Sequence, residues 1–248
     1  MRPWLLAALL FLGAPARVQA EASLDFNNTT SLLTCQSPAA MDEMAAITVS
    51  NWIHPDGSGE STGRMVNKSG SSAGSAGWRL VTDTSITISW IVDYDSTDLA
   101  LVTNETLPTT RFSHLVVTWD GSATATNAHI YIDDVEATYA TTTNGVTTRS
   151  LDASNAVLIG NSSNSTRTVD GRMAHVEIWN RVLTRAEISA THLGPGRVLN
   201  GLQQWTLLQG TADPEPDLAG NGNTCTVTAA GTANANGPPV MLSLGGGR

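Results

Sequence analysis

The sequence predicts an all-β protein, an antiparallel β-sandwich with one short helix. Three observations carry that prediction. About a dozen short runs alternate apolar and polar residues, rich in Thr and bounded by Gly, Asn, Asp or Pro, which is the period-2 pattern of half-buried strands. Helical periodicity is convincing in one place only, residues 184–193. The length suits a single core of the size that sandwiches build.

Taken in order, residues 1–20 (MRPWLLAALLFLGAPARVQA) read as a secretory signal peptide. Arg2 gives the positive start, Trp4 to Leu12 the apolar stretch, Pro15 breaks it, and Ala20 ends a run of small residues suited to cleavage. The apolar run is about half of the roughly 20 residues a membrane span needs, and no later stretch is longer. A secreted protein of residues 21–248, without a membrane span, is therefore expected. The net charge of −9 becomes about −11 when Arg2 and Arg17 leave, and no basic stripe exists to meet phosphates, so nucleic acid is excluded as a partner. Cys35 and Cys225 are the only cysteines. An even count in an exported chain suggests one disulfide, first strands to last; the alternative is two buried thiols.

Ala22 to Phe26 and Ser31 to Cys35 read as short strands, and Ile47 to Ile53 alternates cleanly with Trp52 on one face. Residues 55–62 and 69–76 are Gly/Ser-rich loops around a strand at Arg64 to Lys68. Gly77 to Thr82 and Ser85 to Asp93 follow, the second placing Ile86, Ile88, Trp90 and Val92 on one face. Leu99 to Thr103, Phe112 to Trp119, and a hairpin of Ala128 to Asp133 and Val135 to Tyr139 come next, then Ala156 to Asn161. Along DGRMAHVEIWNRVLTRAEISATHL (170–193), Met173, His175, Glu177 and Trp179 are expected on one face of a strand. Thr184 and Glu187 stand at capping-box spacing, with Leu183 and Ile188 at staple spacing. Gly194 and Pro195 stop the helix, because Gly accepts a left-handed backbone and Pro cannot continue one.

This stretch resembles the closing strand and helix of bacterial and phage laminin-G-like domains of the concanavalin A-like lectin/glucanase superfamily, through Asp170, Gly171, Val176, Ile178, Trp179, Asn180, Arg181, Leu183, Thr184, Glu187 and Ile188. The resemblance extends to Ala22–Phe26, Ile47–Pro55, the strand and turn His114–Gly121, and the hairpin Ile130–Asp134. It implies a jelly-roll course over residues 21–200, a C-terminal extension at 201–230 packing on the sandwich, and a loose tail at 231–248. It also implies recognition of carbohydrate or a glycosylated surface. Many such domains hold Ca²⁺ at the rim, which would place candidate ligands at Asp25, Asn27 and Asp170. The sequence departs from that pattern at Asn28, where Gly is usual, and at Ala174-His175, where the usual Asp-Glu would supply two oxygen donors.

No catalytic residues are assigned. A retaining glycosidase needs two carboxylates about 5 Å apart, commonly at alternate positions of one strand, and no such run is present. His175 and Glu177 are expected to share an exposed polar face. Asp213, Glu215 and Asp217 sit among prolines and read as a solvated loop. The histidines show no zinc spacing, and no nucleophile elbow or phosphate loop occurs. Six tryptophans follow the signal; Trp52, Trp90 and Trp119 are expected in the core, with Trp78 and Trp179 open as stacking surfaces for a sugar. Asn27, Asn28, Asn67, Asn104, Asn161 and Asn164 stand in Asn-x-Ser/Thr sequons, which matter only in a host that glycosylates them. The reading is a secreted, non-catalytic module for glycan recognition. The alternatives are a glycoside hydrolase on the same fold and an adhesive surface protein that binds protein.

Overall fold

The computed structural model describes residues 18–20, 22–60, 62–70, 76–153, 155–210, 213–229 and 231–241. The strands are β1 (Val18–Ala20), β2 (Ser23–Asn27), β3 (Leu32–Cys35), β4 (Ile47–Pro55), β5 (Arg64–Ser69), β6 (Gly77–Thr82), β7 (Thr87–Val92), β8 (Leu99–Thr106), β9 (Ser113–Trp119), β10 (Ala128–Ile132), β11 (Val135–Glu136), β12 (Tyr139–Thr143), β13 (Val157–Ile159) and β14 (Asp170–Trp179). Helix α1 (Arg185–His192) follows, then β15 (Leu202–Thr206), β16 (Cys225–Ala229), β17 (Thr232–Asn234) and β18 (Pro239–Met241). Residues 1–17 of the expected signal peptide lie outside the described residues; Val18–Ala20 pairs antiparallel with Pro239–Met241.

Two eight-stranded antiparallel sheets form the predicted sandwich. Sheet I runs β11-β10-β9-β4-β14-β2-β17, with β15 beside the C-terminal half of β14. Sheet II runs β12-β8-β7-β6-β5-β13-β3-β16. The segment after residue 200 thus supplies strands to both sheets. Thr232–Asn234 pairs with β2, so part of the stretch expected to be a loose tail from 231 is an edge strand. Cys35 and Cys225 face each other across the β3–β16 ladder and are joined by a disulfide.

Alternation places Val49 and Ile53 of β4 and Leu115, Val117 and Trp119 of β9 inward, against Met65, Trp78, Leu80, Ile88, Trp90 and Val92 of sheet II. The Trp78 and Trp90 rings lie 5.5 Å apart, so Trp78 is a core residue rather than an open platform. Lys68 also alternates inward, opposite Trp78, and is fully buried. Its Nζ meets the Asp152 carbonyl at 2.5 Å, the Asp152 carboxylate at 3.3 Å and Asp42 at 2.9 Å. Asp152, equally buried, also accepts from the Glu43 amide and from Arg149. A buried cation is tolerable only with such partners.

Strand β14 does not keep one alternation throughout. Ala174 opposes Trp52 and Glu177 opposes Ser50, so His175 and Val176 together face Asn51. This is a β-bulge, with His175 at φ 53° and its amide donating to the Leu207 carbonyl at 3.0 Å. One extra residue flips every later side chain to the other face. Met173, Val176 and Ile178 therefore join the core, while Glu177 and Trp179 point outward. The expected single face of Met173, His175, Glu177 and Trp179 is thereby split in two.

Helix α1 covers that outward side. The capping box forms as its spacing predicts: Thr184 N donates to Glu187 Oε2 at 2.8 Å, and Glu187 N donates to Thr184 Oγ1. Leu183 and Ile188 pack with Val116, Trp179, Val198 and Leu202 into a second small core between helix and sheet I. Ser189 Oγ donates to Asp134 at 3.0 Å, and Arg185 pairs with the same carboxylate, fastening the helix to the β10–β11 turn.

Candidate ligand-binding surfaces

The two outer faces of the sandwich differ. Beneath α1 and residues 193–200, the outer face of sheet I is closed. His114 is buried, with Nε2 at 2.9 Å from Ser50 Oγ, and its ring lies 4.9 Å from Trp52 and 5.3 Å from His192. Burial holds the His114 imidazole well below its ordinary range and His175 down to about 4. Glu177 is 1% exposed, and the Gly196 amide donates to its Oε1 at 2.8 Å. Burial raises its carboxyl to about 8, the Gly196 hydrogen bond offsetting only part of that. The exposed polar face expected for His175 and Glu177 is therefore a sealed one. Trp52 belongs here, in a small group with Phe112 and Ala174, and not in the central core. Trp179 is buried, with Nε1 donating to the Val198 carbonyl at 2.8 Å. Neither Trp78 nor Trp179 can offer a ring to a sugar.

Glu177 makes a prediction. An acid raised in the folded state contributes stability below its unfolded pKa, and that contribution is lost as pH rises through the folded one. Between pH 6.5 and 8 this contribution should fall by up to about 1.4 kcal/mol per pH unit, about 1.6 kcal/mol in all, against a smaller rise from the buried His114 and His175, which are half protonated at pH 6.5 when unfolded. Urea unfolding of wild type and Glu177→Gln over that range should show the fall as the difference between the two profiles, in which the histidine contributions cancel; profiles of equal slope would mean that Glu177 is ionised in the fold.

At the rim, Asp170 and Asn27 are register partners. Asp25 and Asp170 both have carboxyls raised, by burial first and then by the charge of Asp56, a residue the sequence did not single out. The Asp56 amide donates to the Asp170 carbonyl at 3.0 Å, and His54 pairs with the Asp56 carboxylate at 3.1 Å. Asn27 does not join this group through its oxygen: Oδ1 accepts the amides of Thr29, Thr30 and Ser31 at 2.9–3.1 Å, an Asx turn. Among the described residues, no group of three or more His, Cys, Asp or Glu is set to hold a metal ion. Of the predicted trio, Asp25 and Asp170 bring carboxylates to the rim, while Asn27 Oδ1 is engaged in its turn.

The remaining candidates have structural roles. Asp217 accepts the amides of Trp205, Ala219, Asn221 and Asn223 at 3.0–3.1 Å and so ties the 217–223 turn to β15. Glu215 is buried and paired through its backbone to Cys225, against the expected solvated loop. Two sequon asparagines, Asn67 and Asn161, are fully buried, with Asn67 Nδ2 donating to the Asn161 carbonyl at 2.9 Å.

The outer face of sheet II is buried over its middle strands, at Leu158, Asn67 and Arg79, and exposed at the β16 edge, at Thr226 and Thr228. Cross-strand pairing puts Thr226, Thr34, Leu158, Asn67 and Arg79 in one outward row. At the inner end of the row, Arg79 is bound to Asp93 and, at 3.3 Å, to Asp98. Burial raises the Asp93 carboxyl to about 6 despite Arg79. At the β16 edge the row opens into a groove of about 590 Å³, lined by Thr34, Gln36, Ser37, Asn155, Thr226 and Thr228 with two alanines and Cys35. None of its lining residues carries a charge. The Ser37 hydroxyl is buried without a hydrogen-bond partner, and Asn155 spends its Nδ2 on the Ala76 carbonyl at 2.8 Å. No motif in the sequence marks this groove, because its walls come from three distant segments of ordinary residue types. A smaller cavity of about 280 Å³ lies against the β10–β11 hairpin, with Ile132 and Val135 inside and Glu105, Arg111, Asp133 and Glu136 around it. Arg111 there pairs with Asp133 at 2.6 Å.

Comparison with known proteins agrees with this architecture. A protein from Bacteroides ovatus ATCC 8483 proposed to bind carbohydrate superposes with a TM-score of 0.65 at 15% identity, over 91% of this chain. This chain spans 63% of the length of that protein. A heptameric SAP-like pentraxin from Limulus polyphemus gives 0.50 at 13% identity, over 91% of this chain and 98% of its own. Domains LG4-5 of the mouse laminin α1 chain give 0.47 at 10% identity, over 75% of this chain and 48% of theirs. No curated protein sequence matches. Among the described residues no helix is long and apolar enough to cross a membrane. A laminin G family model matches residues 27–189, from the Asn27 turn to the middle of α1, and the chain belongs to the concanavalin A-like lectin/glucanases superfamily.

Proposed function

We propose that the protein is a secreted, non-catalytic recognition module that binds carbohydrate on the outer face of sheet II. The observation that carries this reading is the groove of hydroxyl and amide side chains there. It is a shallow, open depression of about 590 Å³, within the size range of small-molecule sites, and rich in groups that both donate and accept hydrogen bonds, as a polyol requires. Sheet I offers no comparable surface, because α1 and the following segment close it. The cross-linked Cys35–Cys225 pair supports an oxidising compartment. The hydrolase alternative needs two free carboxylates flanking a bond. On this face Asp93 and Asp98 are instead both held by Arg79.

The test is a glycan-array screen of the folded, oxidised protein, with calcium and with chelator. Selective binding to at least one glycan is the expected result. Binding abolished by chelator would bring the Asp25, Asp56 and Asp170 rim into the function. Failure to bind any glycan would remove carbohydrate recognition and leave the adhesive reading.

A further inference from the structure

The groove at the β16 edge lies partly outside the family match. That match ends at residue 189, whereas Thr226 and Thr228 lie on β16. The disulfide holds β16 in place opposite Cys35, and Thr34 Oγ1 lies 3.2 Å from Thr228 Oγ1 across the same ladder. One wall of the groove therefore exists only because the C-terminal segment returns to pair with β3. The other walls are Gln36 and Ser37 just after β3, and Asn155 in the loop before β13.

The chemistry of these walls selects a ligand. Among the described residues no carboxylate or cation lines the groove, so nothing there compensates a charged sugar for lost water. Neither is there a set of oxygen anions to hold a hard cation. No Trp, Tyr or Phe lines it, so recognition must come from hydrogen bonds and from the threonine methyls rather than from ring stacking. Gln36, Thr226 and Thr228 present the exposed amide and hydroxyl groups of these walls.

Resting on the carbohydrate reading above, we infer that this groove is the ligand site, that it takes an uncharged oligosaccharide without any metal ion, and that strand β16 creates it. Calcium at the rim, if bound, is then separate from recognition.

The experiment probes the oxidised protein with a panel of neutral gluco-, manno- and galacto-oligosaccharides beside sialylated and sulfated ones, each with calcium and with EDTA. Thr226→Lys and Thr228→Glu put a charge on an exposed strand position inside the groove. Gln36→Ala is the milder variant, and it keeps the test decisive if either charged variant fails to fold. Asp25→Asn with Asp170→Asn probes the rim. Expected are binding of a neutral glycan unaffected by EDTA, a loss of about tenfold or more in the charged variants, about three- to tenfold in Gln36→Ala for one hydrogen bond removed, and no change in the rim variant. Neutral-glycan binding that survives every folded groove variant, or is lost in EDTA or in the rim variant, overturns this inference while the carbohydrate reading stands. So does binding of charged glycans alone. No binding to any member of the panel by the folded wild type overturns both.

Discussion

Replacing Cys35 and Cys225 together with alanine is expected to lower the stability of the fold by about 5 kcal/mol. The two residues are 190 positions apart in sequence, and in the chain-entropy account a cross-link of that span removes about 5 kcal/mol worth of freedom from the unfolded chain. For a domain of this size each kcal/mol moves the melting temperature by about 2–4 °C, so a fall of about 10–20 °C should accompany it. The local effect should be sharper still. β16 is an edge strand whose ladder partner is β3, so without the disulfide its five residues depend on that ladder and on the Glu215 bridge. Gln204 Nε2 and Thr206 Oγ1 also approach the Cys225 sulfur, at 3.3 and 3.5 Å. Urea unfolding of the oxidised wild type and the double variant, followed by amide exchange at 225–229, checks both statements. A loss below about 1 kcal/mol with undisturbed exchange in β16 would show that backbone pairing alone holds the strand.

Lys68→Met is expected to cost about 3–5 kcal/mol, the usual penalty for breaking a buried ion pair from one side. The methionine fits the volume of the stem and preserves the packing on Trp78, so the loss isolates the charge. Without Nζ, the carboxylates of Asp42 and Asp152 face each other near the core, and Asp152 keeps only the Arg149 guanidinium and the Glu43 amide. Adding Asp152→Asn should recover part of the loss, because the uncompensated charge goes with it. Denaturant unfolding of both single variants and the double variant gives the coupling energy. If Lys68→Met loses less than about 1 kcal/mol, Arg149 neutralises Asp152 by itself.

The features that were legible in the sequence are those whose cause is local. The Thr184–Glu187 box, the Leu183–Ile188 staple and the Asp133-Asp134 turn each depend on residues a few positions apart, and each forms where the spacing puts it. The central strands β4, β7 and β9 alternate apolar and polar residues, with Asn51 of β4 the polar exception on the inward face, and they lie where that alternation predicts. The failures share a different cause. Nothing in Met173 to Trp179 marks an extra residue, because the bulge is defined by what stands opposite, a single Asn51 on β4. The slip turns Glu177 away from the inward face of Met173, and the helix with residues 193–200, which the strand pattern does not reveal, seals the face it then points to. Nothing near Lys68 in the sequence marks it as buried, because the partners that make burial tolerable, Asp42 and Asp152, are both distant in sequence. The candidate site follows the same rule. Asp25 and Asp170 could be named because a resemblance marked the rim; Asp56 could not, since a loop carries it there. The groove of Thr34, Gln36, Asn155 and Thr226 has no motif at all, only a meeting of three segments.

The Cys35–Cys225 cross-link also determines how the molecule would carry a mechanical load. Tension applied through the β2 side of the chain and drawn out through the β17 side reaches Cys35 and Cys225 before it reaches anything between them, and passes from one to the other through a covalent bond. The strands β4 to β15 are then out of the line of force. The hidden length is considerable: at about 3.3–3.6 Å per extended residue, the 190 positions between the cysteines withhold on the order of 600 Å of chain. In the oxidised protein tension can peel β2, β3, β16 and β17, while the chain between the cysteines stays out of reach of the pull.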